Sequence, residues 1–595
     1  MADYKPPLDD FRFVLHQVLG VDALFARLPG AREVDAGLID AVLEEAGRFA
    51  AQVLAPLNAS GDAEGCHFDP ASGRVSTPKG FADAYHAYVE GGWCGLNAPA
   101  EFGGQGLPET LGAAVKEMID AANLAWGNYP LLSHGATEAL RQHGEDWQRE
   151  LFLRPIIDGR WTGTMCLTEA HCGSDLGLLR TRAQPADDGG YRISGDKIFI
   201  TAGEHDLTEN IVHLVLARLP DAPAGSRGIS LFVVPKRKVG RDGQMGGENG
   251  VVCTAIEHKM GIHGSATCAM HFEGAEGWLV GQPHKGLAAM FTMMNTARLA
   301  VGIQGLGLIE RGYQASLDYA RERLQMRDIA GAKFPEQAAD PLIVHADIRR
   351  MLLTQKAFGE GGRVLALHAA TLVDIEHLGD DAAAAKAAEE ELSFLIPIVK
   401  AVSTEAAIEC TQHAVQIFGG HGYIKDNGVE QLARDARITT IYEGTTQIQA
   451  LDLLGRKVLQ LKGAGLKHFL ARIEAFCRDH ADTAELAEFV APLGRAAQDW
   501  SDLTQALAAA AAKDPEVVAA AAVDYLFLSG HVALAWAWAI SVAAADQAGD
   551  ARRAAAKRAT ARFHYQRLLP RIESHRAAIH SGPANVLDLP AGQFD

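Results

Sequence analysis

The sequence predicts a multidomain α+β protein with an N-terminal helical domain, a central β-barrel-like domain, a helical-bundle domain and a C-terminal helical extension. Its 595 residues, 48% of them hydrophobic, are enough for about three or four domains of ordinary size. Helical periodicity fills both ends of the chain, whereas short β-type runs separated by Asp-Gly, Gly-Gly and Pro turns fill the middle. Long periodic helices of this kind usually pack as bundles.

Changes of pattern along the chain set the predicted domain boundaries. Apolar residues recur at helical spacing in residues 38–60 and 108–126, and the glycine-rich break EFGGQGLP precedes the second stretch. From Trp161 onward, the runs YRISGDKIFITAG, NIVHLVLARL and GISLFVVPK are typical of strands. Helical periodicity then returns, and an alanine-rich helical tail follows Gly463. The predicted domains are residues 1–160 (helical), 161–283 (β), 284–462 (four-helix bundle) and 463–595 (helical extension).

One apolar segment, residues 525–545, has no formally charged side chain and is about as long as a membrane span. It is rich in alanine, contains Ser529, Gly530 and His531, and is bracketed by Asp524 and Asp546. These features favour a helix buried inside a bundle over a membrane span.

Composition narrows the class of protein further. The net charge of −19 at pH 7 repels polyanions, so nucleic acid is not expected as the main partner. The eight cysteines include no Cys-x-x-Cys pair and no zinc spacing, which favours reduced, mostly buried thiols and no metal site. At the N-terminus, Asp9, Asp10 and Arg12 interrupt the apolar stretch that a secretory signal needs. A cytoplasmic location without a membrane span is therefore expected.

Two stretches of the β domain have the composition of a cofactor site. TMCLTEAHCGSD, beginning at Thr164, concentrates hydroxyls and small residues that can bring backbone N–H groups against a phosphate or a polar ring edge. Such a cluster is also typical of an ordinary turn. In GDKIFITAG, the alternation of a strand places Phe199 and Thr201 on one side, where a planar cofactor could lie. From β propensity alone, a core Phe199 and an ordinary strand residue at Thr201 are favoured.

These two stretches, together with QIFGGHGYIKD and IYEGTTQIQ in the same order, resemble the acyl-CoA dehydrogenase family of flavoproteins. The resemblance covers residues 11–462, and EFGGQGL and LTEAHCGSD match the family's patterns in the early part of the chain. The long extension, with ADPLIVHADIRRMLL before it, is similar to the larger members, a subgroup that includes 3-methylmercaptopropionyl-CoA and long-chain acyl-CoA dehydrogenases.

The resemblance implies FAD as cofactor, bound between the β domain and the helices of a neighbouring subunit. Leu167 and Thr168 would contact the pyrimidine edge of the flavin. Phe199 and Thr201 would lie behind the ring, with the Thr201 hydroxyl near N5. Ser174 would contact a phosphate or the CoA arm of the substrate.

The resemblance also places cofactor contacts in the helical part of the chain. The partner chain would hold the diphosphate and adenosine half, and further residues would close over the same cofactor. Glycine suits such positions because only a residue without Cβ lets the backbone approach a ligand closely, although FGGHG is also typical of a helix end. The residues implied are Arg323, Gln416, Gly419, Gly420, Thr445 and Gln447.

The resemblance assigns catalysis to Glu443. Dehydrogenation of a thioester requires a base that takes the Cα proton while a hydride leaves Cβ for the flavin. Desolvation by the apolar substrate strengthens a carboxylate as a base, and the backbone N–H of Glu443 with a ribityl hydroxyl of FAD would polarise the thioester carbonyl. Some family members place the base on an earlier helix, where this chain has Ala297, so only Glu443 remains. From the sequence alone, Glu443 would also suit a helix-start acid.

Three further residues are implied in substrate binding. Gly444 keeps the turn after the base free of a side chain, Tyr442 would form a wall of the acyl pocket, and Arg298 would supply positive charge for the CoA end. An arginine on a long helix is also commonly a solvated charge, so the assignment of Arg298 stays open.

Several positions depart from the commoner family pattern. Ala170, His171 and Cys172 stand where a Pro-x-Ala run is usual, Phe199 replaces a frequent tryptophan, and LQMRDIAG lacks the Phe-Gly that often follows the FAD arginine. These differences affect the flavin environment and the contact expected of Met326, but not the reaction class. His171 could tune the flavin edge or lie in solvent as a loop residue.

The expected activity is oxidation of an acyl-CoA to the trans-2-enoyl-CoA, with an electron-transfer flavoprotein as acceptor and a homodimer as the assembly. An acyl-CoA oxidase would share the fold and the base, and acyl chain length cannot be read from one sequence. A third possibility is a nucleic-acid-binding flavoprotein, because basic residues in the tail could form a stripe, although pairing with carboxylates is the alternative. They are Arg552, Arg553, Lys557, Arg558, Arg562, Arg567, Arg571 and Arg576.

Overall fold

The computed structural model describes residues 3–595, and the chain divides into two compact units. The helical unit comprises Met1–Arg48, Pro108–Ala121 and Val301–Asp595. The sheet unit comprises Phe49–Leu107 and Ala122–Ala300.

The first 160 residues are mainly helical, as the periodicity predicts, and they also contain one short antiparallel hairpin. Its strands are β1 (His67–Asp69) and β2 (Arg74–Ser76), joined by a turn in which the Asp69 carboxylate accepts from Ala71 N and Ser72 Oγ and Gly73 has φ +69°. The helices are α1 (Leu8–Arg12), α2 (Val21–Phe25), α3 (Ala36–Phe49), α4 (Pro56–Glu64), α5 (Phe81–Glu90), α6 (Glu109–His143), α7 (Asp146–Gln148) and α8 (Arg154–Ile157).

The centre of the sheet unit is a ring of strands, which confirms the barrel-like prediction. Strand β4 pairs with β5 and β6, β6 pairs with β7, β7 pairs with β11, and β11 pairs with β5, so five strands close on themselves. Every residue of β7 is buried, which explains why it is an unbroken apolar run. The strands are β3 (Trp161–Cys166), β4 (Arg182–Pro185), β5 (Tyr191–Thr201), β6 (Asn210–Arg218), β7 (Ile229–Pro235), β8 (Arg237–Val239), β9 (Met245–Glu248), β10 (Val251–Ile256) and β11 (Thr267–Val280).

Helices make up the remainder of the chain. Two of them, α10 and α11, pack along each other in the helical unit. Their bounds are α9 (Gly286–Glu322), α10 (Ala346–Leu378), α11 (Ala382–Phe418), α12 (Val429–Thr439) and α13 (Thr446–Leu451), followed in the extension by α14 (Ala464–Asp479), α15 (Ala487–Ala511), α16 (Glu516–Gln547), α17 (Ala551–Phe563), α18 (Arg571–His580) and α19 (Ala584–Leu587).

The uncharged apolar segment lies in α16 and is mostly buried in the bundle, as predicted. Trp538 Nε1 donates to the carbonyl of Ala357, and a Cβ added at Gly530 would lie 2.3 Å from Val402, so α16 packs closely against neighbouring helices. By length and composition α9 and α16 would both be able to cross a membrane, yet most of the apolar window of each is buried, as in core helices of globular proteins.

The thiols agree with the sequence-based prediction. All eight cysteines lie within residues 3–595 and are free, and five of them are buried.

Most of the basic residues of the tail form ion pairs inside the helical unit. Arg562 binds Glu488 through two hydrogen bonds of 2.7 Å, and Arg571 binds Glu409 at 2.7 and 2.8 Å. Arg553, Lys557, Arg558 and Arg576 also pair with carboxylates. Pairing with the carboxylates of the bundle therefore accounts for most of the basic residues.

A buried ionic cluster joins distant parts of the helical unit. Arg363 on α10 is 1% exposed and donates to Glu117 at 2.9 Å, to Glu310 at 2.8 Å and to Asp10 at 2.5 Å. Asp10 also accepts from Lys557 on α17, which ties the N-terminal helix to the extension. Burial raises the pKa of Glu117 to about 7, although Arg363 acts against the rise.

Replacement of Arg363 by methionine is expected to destabilise the helical unit by about 3–5 kcal/mol, because the buried Glu117 and Glu310 lose this partner, whereas Asp10 keeps Lys557. The deficit should shrink as the pH falls, because burial already raises the pKa of Glu117 and the loss of Arg363 removes a charge that acts against this rise, so that Glu117 takes up a proton more readily when folded. Thermal unfolding as a function of pH measures both effects. Arg562→Met, which breaks an exposed pair, should change stability by about 1 kcal/mol or less, and an equal loss in both variants would contradict the prediction.

Candidate active site

Glu443 lies in the turn between α12 and α13 in a strained backbone conformation. Its φ is +56° and that of Gly444 is +94°, and the Glu443 side chain is half-buried. A left-handed conformation costs a residue other than glycine roughly 1–3 kcal/mol and is common at active sites. The turn therefore needs contacts that hold it.

Two buried side chains donate to the main chain of this turn. Lys400 Nζ on α11 donates to the Gly444 carbonyl at 2.7 Å, and Gln449 Nε2 donates to the Glu443 carbonyl at 3.0 Å. Thr445 caps α13 by accepting from Ile448 N at 3.3 Å. Neither Lys400 nor Gln449 was identified from the sequence.

Gly444 is required by the geometry of the turn. Beyond its positive φ, a Cβ at this position would lie 2.7 Å from Gln449 Nε2 and would displace the amide that supports Glu443. This agrees with the expectation that the turn carries no side chain after the base.

The side chain of Tyr442 is held in place by a hydrogen bond to α9. Its hydroxyl donates to Gln304 Oε1 on α9, and burial, together with the nearby Asp120 and Glu443 carboxylates, raises the pKa of Tyr442 well above its usual value. The phenol is therefore neutral at physiological pH, and the residue before Glu443 is fixed to the bundle.

In the sheet unit, Phe199 stands on a β-bulge near the end of β5. The register with β11 shifts between Cys268 and Met270, and Phe199 has φ +59° and is 58% exposed. Thr201 is half-buried, and Ile200 between them is buried, in agreement with the predicted alternation of these two residues. The bulge presents a flat aromatic side chain at the surface of the unit.

The loop that carries Leu167 and Thr168 is tied to the same strand. The Thr168 carbonyl accepts from Ile198 N at 2.9 Å, and the Leu167 carbonyl accepts from Lys197 Nζ at 2.9 Å. The structure therefore brings Leu167, Thr168 and Phe199 to one region of the sheet unit.

A buried ion pair fixes this region. Lys197 Nζ lies 2.9 Å from Glu169 Oε1, and Glu169 also accepts from Arg180 N and from the amide and hydroxyl of Thr181. Burial alone would raise the pKa of Glu169, but Lys197 and the hydrogen bonds outweigh it and lower the pKa to about 2, so the pair stays ionised. Sequence reasoning missed both residues; a lysine inside an apolar strand was the available signal.

Ser174 and His171 lie in the exposed part of the loop. His171 Nε2 lies 3.0 Å from the carbonyl of Leu178. Glu169, His171 and Cys172 place potential ligand atoms within 4.8 Å of one another. Glu169 Oε1 already accepts from Lys197 and Thr181, and Oε2 accepts from Arg180 N, so both oxygens have partners within the loop and strand.

In the helical unit, the residues implied in the second part of the cofactor site form an exposed surface. Tyr319 on α9 stacks on Phe418 of α11 with ring centroids 4.1 Å apart, which brings the C-terminal ends of the two helices together. Gly419 has φ +60° and ψ −139°, a conformation that favours glycine, and within the described part of the chain nothing would lie within 4 Å of a Cβ added there or at Gly420. Arg323, one turn after Tyr319, is exposed, and so are Gln416 and Met326.

Other predicted residues have different surroundings. Gln447 is exposed and Thr445 half-buried. Arg298 is only 4% exposed, so the alternative of a solvated helix charge is wrong. Ala297, at the alternative base position, is 2% exposed and offers no carboxylate.

Family models match almost the whole chain. The acyl-CoA dehydrogenase N-terminal, middle and C-terminal domain models match residues 39–160, 164–275 and 284–459, and the acetyl-CoA dehydrogenase C-terminal like model matches residues 469–590. The chain belongs to the acyl-CoA dehydrogenase family. It is therefore an FAD-dependent oxidoreductase, as the motifs predict.

Named relatives extend this result. The 3-methylmercaptopropionyl-CoA dehydrogenase of Ruegeria pomeroyi is 44% identical over 587 residues, which cover 97% of this chain and 98% of the relative. A solved chain from a study of the electron transferring flavoprotein of Acidaminococcus fermentans is 27% identical with a TM-score of 0.58, covering 71% of this chain and 98% of its own. The acyl-CoA dehydrogenase of Bacillus anthracis complexed with FAD shares the fold at a TM-score of 0.74 and 20% identity, over 96% and 91% of the two chains.

The residues present fit FAD on structural grounds. An exposed aromatic ring on a bulge suits the face of a planar ring system, and open glycine backbone and an exposed arginine in the helical unit suit a diphosphate.

Lys197→Met is expected to weaken FAD binding about 10-fold or more, because a charged hydrogen bond worth about 1.5–3 kcal/mol no longer fixes the Leu167–Thr168 loop. The flavin content of the purified protein and an FAD titration of the apoprotein measure the effect. Lys236→Met is the matched control, because Lys236 pairs with Glu204, another carboxylate of the sheet unit, and not with the loop. Full flavin content in Lys197→Met, or equal losses in both variants, would count against this role.

Proposed function

We propose that this protein catalyses the α,β-dehydrogenation of an acyl-CoA thioester to the trans-2-enoyl-CoA, with Glu443 as the catalytic base. The observation that carries the proposal is the strained Glu443 turn, in which two buried donors hold a carboxylate-bearing residue at positive φ. The alternative base position holds alanine, which supports the same assignment.

The residues in and around the turn have different roles in the proposed reaction. Glu443 takes the proton from Cα, and the backbone N–H of Glu443 polarises the thioester carbonyl so that this proton becomes more acidic. FAD supplies the acceptor for the hydride that leaves Cβ. An apolar acyl chain removes water from the carboxylate, which strengthens it as a base. Tyr442, held by Gln304, forms a wall for the acyl chain, and Arg298 supplies positive charge for the CoA end.

FAD contacts are proposed in each unit. In the sheet unit, Leu167 and Thr168 contact the pyrimidine edge, Phe199 and Thr201 lie behind the ring, and Ser174 contacts a phosphate or the CoA arm. In the helical unit, the exposed glycine surface would serve FAD of a neighbouring subunit, with Thr445 and Gln447 closing over it. The residues of that surface are Arg323, Gln416, Gly419 and Gly420.

The proposed assembly is a homodimer, and the proposed location is the cytoplasm. The size and position of the extension motivate the first part, because we infer that it covers the surface that shorter family members use to form tetramers. Free thiols are consistent with the second part. A tetramer in light scattering would contradict the dimer.

The proposed substrate class includes thioether acyl-CoAs as well as linear ones. Support comes from the 44% identity to a 3-methylmercaptopropionyl-CoA dehydrogenase over nearly the full length of both chains. A panel of short, medium, long and thioether acyl-CoAs ranks these by kcat/KM. Nucleic acid binding is disfavoured, because most of the basic residues of the tail pair with carboxylates.

Glu443→Gln is expected to slow reduction of bound FAD by acyl-CoA about 100-fold or more while leaving the FAD content unchanged, because the amide cannot accept the Cα proton. Anaerobic mixing with substrate, followed by flavin absorbance, measures the rate. Glu389→Gln changes an exposed carboxylate on α11 and should react at the wild-type rate. Substantial activity in Glu443→Gln would mean that the base lies elsewhere.

We expect an electron-transfer flavoprotein or an artificial acceptor, rather than oxygen, to reoxidise the reduced enzyme. Turnover should therefore depend on the acceptor and yield little hydrogen peroxide. Parallel assays of acceptor reduction and peroxide formation measure the partition. Stoichiometric peroxide with fast turnover in air would instead support the oxidase alternative.

A further inference from the structure

The turn that carries Glu443 is held from outside by three side chains of the helical unit. Lys400 and Glu405 lie on α11, and Gln449 lies on α13. Lys400 donates to the Gly444 carbonyl at 2.7 Å, Gln449 donates to the Glu443 carbonyl at 3.0 Å, and Glu405 accepts from the Thr446 hydroxyl at 2.5 Å. The carbonyls of two consecutive residues and the start of the next helix are thus all fixed.

Lys400 is an unusual choice for such a contact. Its side chain is fully buried, and an ammonium group removed from water carries a large desolvation penalty unless it is well hydrogen-bonded. Its Nζ lies 2.7 Å from the carbonyl of the residue that follows Glu443, so this buried donor acts directly on the main chain of the turn.

Gln449 is likewise buried at an energetic cost. It is fully buried, and its amide nitrogen also lies 3.5 Å from the Gly444 carbonyl. Among the described residues, no donor lies within hydrogen-bond distance of Gln449 Oε1. Since an unsatisfied buried acceptor is costly, the amide is oriented for its donor end, which serves Glu443.

These contacts fix the direction of the Glu443 side chain. The φ and ψ of a residue set the direction of its Cα–Cβ bond, so a relaxation of Glu443 from φ +56° to an ordinary negative value would move its carboxylate. Misplacement of a catalytic group by about 1 Å can cost about 100-fold in rate. Holding the turn in this conformation is therefore expected to increase the rate of proton transfer.

We propose that Lys400, together with Gln449, is a positioning residue for proton abstraction: its hydrogen bond to the Gly444 carbonyl holds Glu443 in the left-handed conformation that aims the carboxylate at the substrate Cα. The inference rests on the proposed role of Glu443 as the base. Lys400 does not touch the reacting atoms in this scheme, and it acts through the main chain of the turn.

The test compares Lys400→Met with Lys457→Met as FAD-loaded full-length proteins. Lys457 is also a buried lysine of the helical unit, and its Nζ contacts Ser393 Oγ, on α11, rather than the turn. Flavin reduction in a single turnover, measured over a range of acyl-CoA concentrations, separates the limiting rate constant from the half-saturation concentration. Cα-deuterated substrate reports on proton transfer directly.

For Lys400→Met we expect the limiting rate constant to fall about 10- to 100-fold, with a half-saturation concentration within about 3-fold of wild type. The deuterium isotope effect on flavin reduction should be as large as in wild type or larger. Lys457→Met should lower thermal stability but keep the wild-type rate constant. A purely structural role for Lys400 predicts the same pattern for both lysine variants, which would overturn the proposal.

Gln449→Met tests the same positioning role if Lys400→Met does not fold. Methionine has a similar length, and the substitution removes the acceptor that lacks a partner, so most of the effect falls on the Glu443 carbonyl. We expect the same separation of rate constant and half-saturation concentration. Wild-type rates in Gln449→Met and in any folded Lys400→Met would overturn the inference.

Glu443→Gln in the same assay distinguishes a failure of the base assignment from a failure of the positioning role. Rapid flavin reduction by Glu443→Gln overturns the base assignment, and with it the positioning role. Loss of reduction in Glu443→Gln together with wild-type rates in Lys400→Met and Gln449→Met overturns the positioning role alone.

Discussion

A carboxylate can act as a base on carbon only if its side chain is held in one direction, and here that direction depends on a backbone conformation that glutamate does not favour. Glu443 at φ +56° persists because buried donors on α11 and α13 satisfy the two carbonyls around it. The backbone strain at Glu443 and the hydrogen bonds that support it have one explanation, because each requires the other. In the proposed mechanism, the bundle that supplies these donors holds the geometry of the base as well as burying apolar surface.

The C-terminal extension contributes to the same support. Helix α16 packs against α11 and α13, and Gly530 allows it to approach Val402, two residues from Lys400. The Arg363 cluster joins the N-terminal helix, α6, α9, α10 and α17 through charged hydrogen bonds. Because buried charges are costly without their partners, these helices have to assemble together. This gives the extension a physical role in the fold even though it supplies no residue to the proposed chemistry.

The sheet unit uses the same principle in a smaller space. A buried Lys197–Glu169 pair and a bulge at Phe199 bring a loop and a strand end into fixed register. Glu169, near the start of the loop, accepts hydrogen bonds from Arg180 and Thr181 near its end, so the loop cannot move without unpairing a carboxylate. The surface proposed to contact the flavin is thereby fixed by local hydrogen bonds rather than by apolar packing alone.

The sequence by itself determined the fold class, the helical and β regions and the family, because each of these follows from periodicity or from local motifs, and its resemblance to the family led to the proposal of Glu443 as the base. It also indicated that α16 is a core helix, since small and polar residues interrupt its apolar run. The tertiary structure decided the rest. The bulge at Phe199, the β1–β2 hairpin, the burial of Arg298 and the donors Lys400 and Gln449 depend on which distant segments meet, and Lys400 lies 44 residues before the carbonyl that it binds. Local pattern fixes what a residue can do, but only the packing of the chain fixes the partner with which it does it.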